Sequence, residues 1–309
     1  MSSLRDMPLR RLAPIVVLCA VVTAAAAELA VKAPSHQGST RFAVIGDTGT
    51  GDKYQNAIAQ VLIRSHEVFP FTFVIMMGDN LYGSERPQDY ANKFEKPYKA
   101  LLDANVPFYA SLGNHDDPNQ RLYKPFNMNG ERYYTFTKGP IKFFVLDSNY
   151  MDRTQLSWLE RELQASTDRW KMAYFHHPLY SSGERHGSEV DLRQQLEPLF
   201  LKYGVDVVFA GHEHFYERIK PQKGIYYFIA GGGAKLREGD VNRGQLTAAA
   251  FDTDRSFMLV EVSGDTFQFQ TISRLGGNVD EGTFALGPEP KQPPTTPSNQ
   301  QAPCNPVTL

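Results

Sequence analysis

The chain has 309 residues, 41% of them hydrophobic and 21% charged, with a formal net charge of -2. Those values allow a sizeable core in one α/β domain and argue against a nucleic-acid binder that works through a basic surface. The two cysteines, Cys19 and Cys304, sit in the terminal segments, so the domain between them has no internal disulfide, which is compatible with a bacterial periplasmic or secreted protein of this size whose core suffices without staples.

At the N-terminus, Arg5, Arg10 and Arg11 precede an apolar run from Leu12 to Ala27 that ends in alanines. This pattern predicts a secretory signal peptide over residues 1–27, the run being short of the roughly 20 residues that span a bilayer. Its removal takes away three arginines and Asp6, leaving a net charge of about -4. Residues 28–39 read as a leader, 40–286 as the folded domain, and 287–309, dense in Pro, Thr, Asn and Gln, as a disordered tail.

Within the domain, apolar runs at Arg41–Ile45, Phe71–Met77, Val106–Leu112, Lys171–Phe175 and Val205–Ala210 predict buried strands. Helical spacing predicts helices over Tyr54–Arg64, Ala91–Leu102, Thr154–Ala165 with Thr154 as cap, and Leu192–Tyr203. Tyr133–Phe136 and Lys142–Leu146 alternate as paired strands. Ile225–Ala230, Phe257–Val262 and Thr266–Ile272 read as strands of a second sheet, giving two mixed sheets face to face with helices outside. Tyr123, Phe126, Tyr133 and Tyr134 read as packing residues. Gly231-Gly232-Gly233-Ala234-Lys235 lacks P-loop spacing and is either a close backbone approach or a plain turn.

Each of the five strands ends in a polar motif. These are Gly46-Asp47-Thr48-Gly49, Gly78-Asp79-Asn80-Leu81-Tyr82, Gly113-Asn114-His115-Asp116, Phe175-His176-His177-Pro178 and Gly211-His212-Glu213-His214. Any one Gly-Asp or Gly-Asn pair is ordinary turn chemistry. Five in series at strand ends bring carboxylate, amide, phenol and imidazole to one place, the usual location of ligand sites in open α/β sheets. That mixed donor set suits iron, manganese or zinc. His212 and His214, two apart on a segment taken as extended, point the same way and can serve adjacent ions.

These motifs resemble the calcineurin-like metallophosphoesterase superfamily and, within it, the purple acid phosphatases, over about Thr40 to Ser273. Tyr82, three residues after Asp79, looks like their iron(III) phenolate ligand, and the compact length is similar to the small, tartrate-resistant acid phosphatase-like members. The resemblance implies an α/β, four-layer αββα sandwich of two mixed sheets. It implies a dinuclear centre with Asp47, Asp79, Tyr82 and His214 on Fe(III), and Asp79, Asn114, His176 and His212 on a divalent Fe, Zn or Mn. A dimanganese or dizinc pair is the alternative. His177 is left out of the ligand set.

From the resemblance, His115 faces the substrate phosphate or protonates the leaving group, and His186, in a variable loop, is a further substrate-facing histidine. The expected function is a secreted phosphomonoesterase of acid-phosphatase type, working by attack of a hydroxide on the metal pair with His115 as general acid. Phosphodiesterase or nucleotide pyrophosphatase activity is the alternative. A catalytically silent metal- or phosphate-binding protein is the contrasting class. Expected partners are small phosphate esters, with no nucleic acid and no membrane anchor after signal cleavage, in the periplasm or outside the cell.

Overall fold

The computed structural model describes residues 29–287. The expected signal peptide and nearly all of the expected tail lie outside them, as do Cys19 and Cys304. The chain begins with β1 (Thr40–Ile45) and α1 (Lys53–Val68), which Asp52 caps by accepting from the backbone N–H groups of Tyr54 and Gln55. Next come β2 (Phe73–Met76), α2 (Pro87–Tyr90), α3 (Lys99–Asp103) and β3 (Phe108–Ala110). The single helix expected over Ala91–Leu102 is therefore broken. Pro97 lies in its middle, has no N–H to donate, and leaves a π-type turn at Ala91–Glu95 before α3.

The second half opens with the hairpin β4 (Tyr134–Lys138) and β5 (Ile141–Val145), then α4 (Arg153–Ala165) and β6 (Trp170–Tyr174). Asp152, not Thr154, caps α4 by accepting from Gln155 N–H. α5 (Val190–Tyr203) ends at left-handed Gly204 and leads to β7 (Val207–Ala210). The remaining strands are β8 (Tyr216–Gln222), β9 (Ile225–Ala230), β10 (Thr247–Phe251), β11 (Ser256–Ser263), β12 (Thr266–Ser273) and β13 (Asn278–Ala285).

One sheet has the order β13-β12-β11-β1-β2-β3 and the other β10-β8-β9-β7-β6-β5-β4. The expected grouping of the late strands is corrected here: β9 belongs with β7, whereas β11 and β12 join the sheet of β1. The free edge of β1 accepts β11 antiparallel, Phe42 opposite Val260, and β11 is buried over nearly all its length. Aromatic side chains from both sheets meet between them. Phe42 stacks on Phe73 at 5.1 Å and meets Phe143 and Phe209 edge-on at 5.4 and 6.2 Å. Each such ring contributes about 1.5–3 kcal/mol through burial. α1 covers the first sheet through Ile58, Val61 and Leu62, while α4 and α5 cover the second through Leu159, Leu163, Leu196 and Phe200. The result is the four-layer αββα sandwich.

Residues 29–39 have no regular structure but are pinned to the first sheet. Glu261 accepts from Ser35 N–H, His36 N–H and the Ser39 hydroxyl, and Gln270 exchanges two hydrogen bonds with the Lys32 backbone. Among the described residues no helix is long and apolar enough to cross a membrane. Phe126 and Tyr134 are buried, Tyr123 packs against Tyr90 and Phe126, and Tyr133 against Trp158, so these aromatics serve packing.

Candidate metal centre

β1, β2, β3, β6 and β7 deliver their carboxyl ends to one rim of the sandwich, because β1-β2-β3 and β5-β6-β7-β9 each run parallel. All seven expected ligands meet there. Asp47, Asp79 and His212 have left-handed backbones, with φ of 55, 50 and 67°, a conformation non-glycine residues rarely take. The bonds around them hold it. Asp47 N–H donates to Gly78 O, His212 N–H to Asp47 Oδ2, and His115 N–H to Asp79 Oδ1.

The donor atoms form two triangles. In one, Tyr82 Oη–H donates to Asp47 Oδ1 at 3.1 Å, and His214 Nε2 lies 3.3 Å from the phenol and 3.4 Å from the carboxylate. In the other, Asn114 Oδ1, His176 Nε2 and His212 Nδ1 are 2.9, 3.1 and 3.2 Å apart. Asp79 stands between them, its Oδ1 3.4 Å from His176 Nε2 and its carboxylate also reaching the Tyr82 phenol. His212 and His214 thus face different triangles. The segment between them is not extended, since His212 is left-handed, so strand alternation is not what aims the two rings.

The donor chemistry fits a pair of cations. His176 Nδ1 lies 2.8 Å from Met77 O, an atom that can only accept, so Nδ1 carries the proton and Nε2 presents a lone pair. That lone pair faces an amide oxygen and a carboxylate, a cluster short of protons that a metal ion would satisfy. Electrostatics agree. Burial, then the charge of Asp79, holds Asp47 well above the usual carboxylate range, and burial raises Asp79 too. Burial, then Asp47 and Asp79, pushes the Tyr82 phenol far above its ordinary value. Burial pushes His176, His212 and His214 down, so all three stay neutral as ligands must be.

His115 and His186 are both exposed at the rim. The His115 ring is 5.0 Å from that of Tyr82, and the His186 ring 4.4 Å from that of His212. His177 comes closer than its omission from the ligand set suggests. Its ring is 5.0 Å from His176 and 4.6 Å from His212, and its Nδ1 is 2.8 Å from Ser148 Oγ, so three imidazoles can reach one ion. Beside Asn114 and His177 opens a cavity of about 410 Å³, walled also by Ser148, Asn149, Tyr150 and Glu189.

The glycine-rich stretch is a close approach, not a plain turn. A Cβ on Gly231 would fall 2.2 Å from Glu213 O and 2.8 Å from Asp47 Oδ2. Just beyond it, Lys235 Nζ lies 4.6 Å from the centre of the Tyr82 ring, and Arg237 Nη1 donates to His212 O at 3.3 Å. Neither cation was picked out as a site residue from the sequence. Their position after a strand-ending glycine run was the only available signal.

Fold and site define a metal-dependent phosphoester hydrolase. The model of the calcineurin-like phosphoesterase family matches residues 40–216, and the chain belongs to that family. Human tartrate-resistant acid phosphatase type 5 is 25% identical over 288 residues, covering 76% of this chain and 88% of that protein. Purple acid phosphatase 17 of Arabidopsis thaliana is 27% identical over 242 residues, with 66% and 71% covered. Among solved structures, yellow lupin purple acid phosphatase PPD1 superposes with a TM-score of 0.64 at 18% identity, over 82% of this chain and 55% of that one. GAP50 of Plasmodium, described as the anchor in the inner membrane complex, gives 0.69 at 21% identity, over 82% and 90%. These two likenesses concern the fold. The acid phosphatase relatives imply a dinuclear metal site, and the residues of the two triangles are its candidate ligands.

Proposed function

We propose that this chain is an exported phosphomonoesterase of acid-phosphatase type. The observation that carries the reading is the convergence of two complete donor triangles on Asp79, with two histidines exposed beside them. Asp47, Tyr82 and His214 would hold Fe(III), Asn114, His176 and His212 a divalent Fe, Zn or Mn, and Asp79 both ions. Once bound, such a pair supplies positive charge for the phosphoryl oxygens and acidifies water. His115 stands at the open edge, its backbone tied to Asp79, where its imidazolium can hand a proton to the departing ester oxygen. His186, on the His212 side, can donate to a phosphoryl oxygen. The cavity beside Asn114 has room for the leaving group, and its Tyr150 ring, 59% exposed, suits an aryl one. Export is supported by the Arg-rich, apolar, Ala-ending N-terminus.

The test is phosphate release from matched aryl monoester and diester substrates across pH, with Asp79→Ala as blank and metal content measured alongside. A monoester preference at acid pH, with both ions lost from Asp79→Ala, supports the reading. Diester preference near neutral pH moves the chain to a phosphodiesterase, and a variant that keeps both metals overturns the shared role of Asp79.

A further inference from the structure

We propose that Glu213 and Arg237 are a positioning pair that holds the His186 loop over the metal centre, an inference that rests on the phosphatase reading and deepens it. Glu213 sits between the two histidines of Gly211-His212-Glu213-His214, yet its side chain is fully buried and turns away from their ligand atoms. Its Oε1 accepts from Gly187 N–H at 2.8 Å and from the Ser181 hydroxyl at 3.3 Å, and its Oε2 pairs with Arg237 Nη1 at 3.0 Å. The same Nη1 donates to His212 O, and Arg237 N–H donates to His214 O at 3.0 Å. One carboxylate therefore grips the loop while its partner guanidinium grips the segment that carries two ligands.

The loop is drawn tightly onto that carboxylate. A Cβ on Gly183 would lie 2.5 Å from Glu213 Oε1, so any larger residue there must displace the carboxylate. A second tether runs through Glu217, which accepts from Ser182 N–H and the Thr247 hydroxyl, and a third through the bridge between Gly183 and Val241. His186 itself makes no hydrogen bond through its ring among the described residues, so the loop backbone and the ring's contact with His212 decide where its imidazole stands. A buried carboxylate binding loop amides is costly without a counter-charge, and Arg237 supplies one with charge-assisted geometry.

In Glu213→Gln the amide can still accept from Gly187 but turns an N–H₂ toward Arg237 Nη1, donor against donor. The experiment combines Glu213→Gln, His186→Ala and the double variant, reading kcat and KM on an aryl monoester and metal content. Hydrogen exchange of residues 181–187 in the metal-free protein gives a readout independent of turnover. We expect Glu213→Gln to keep its metals, to speed exchange of the Gly187 amide at least about ten-fold, and to lower kcat roughly 10–100-fold. The double variant should fall no further than the weaker single one, and Arg237→Lys, which keeps the charge, should retain most of the rate. Unchanged exchange or multiplicative losses would overturn the pair's role. A wild type inactive on every ester, with the loop still released in Glu213→Gln, would leave the clamp standing and remove the phosphatase reading.

Discussion

Asp116 joins the two loops that carry Asp79 and Asn114, and removing it should loosen the metal centre without touching a ligand. Its carboxylate accepts from the backbone N–H groups of Gly113, Asn80 and Leu81 at 2.8, 3.1 and 3.0 Å, and from the side chains of Asn80 and Gln120. Asp116→Ala leaves three backbone donors without a partner. At about 1 kcal/mol each, the low end for a site that water can partly reach, the loss is about 3 kcal/mol. For a domain of this size that lowers Tm by roughly 6–12 °C. Asp116→Asn keeps one acceptor oxygen and should lose about half as much. The loss also depends on pH. Burial and Asp79 raise the Asp116 carboxyl from 3.8 to about 7. Because the folded value lies above the unfolded one, its own titration favours folding below 3.8 and that contribution fades as pH rises through about 7. Asp116→Ala should therefore cost more at pH 5 than at pH 8. Denaturant melts of chelated wild type and both variants at the two pH values measure this; a loss under about 1 kcal/mol at pH 5, or one larger at pH 8, refutes the reasoning.

Two further outcomes can be checked directly. Because burial and two carboxylates keep the Tyr82 phenol protonated in the metal-free protein, its coordination must expel a proton. Tyr82→Phe should release about one proton fewer on metal loading in weakly buffered solution and, with Fe(III) bound, lose visible absorption; equal proton counts would exclude phenolate ligation. Burial pushes His177 from 6.5 down to about 4, so the stability it contributes is full above 6.5 and is lost as pH falls toward 4. Metal-free His177→Asn should show a flatter Tm between those limits than wild type, and a parallel curve would mean that His177 is solvated.

Strand ends, their polar motifs and most helices were legible because each is a local pattern: an apolar run, a glycine turn, a 3.6-residue period. Pro97 carried its own warning against a continuous helix, and Asp152 competed two residues ahead of Thr154 as a cap, both local signals outweighed by periodicity. β8, β10 and β13 went unread because Tyr216–Gln222, Thr247–Phe251 and the half-exposed Asn278–Ala285 are not strongly apolar. The sequence by itself thus determined which donor types this chain offers and that five strands present them. Only tertiary structure decided which sheet β11 and β12 extend, that a left-handed His212 and not strand alternation aims the His212 and His214 rings, and that His177, Lys235 and Arg237 crowd the same rim. The physical reason is range. Donor identity and strand propensity are written within a few residues, whereas His177 and Ser148, 29 apart, or Glu213 and Arg237, 24 apart, meet only after the sheets have paired and the core has closed.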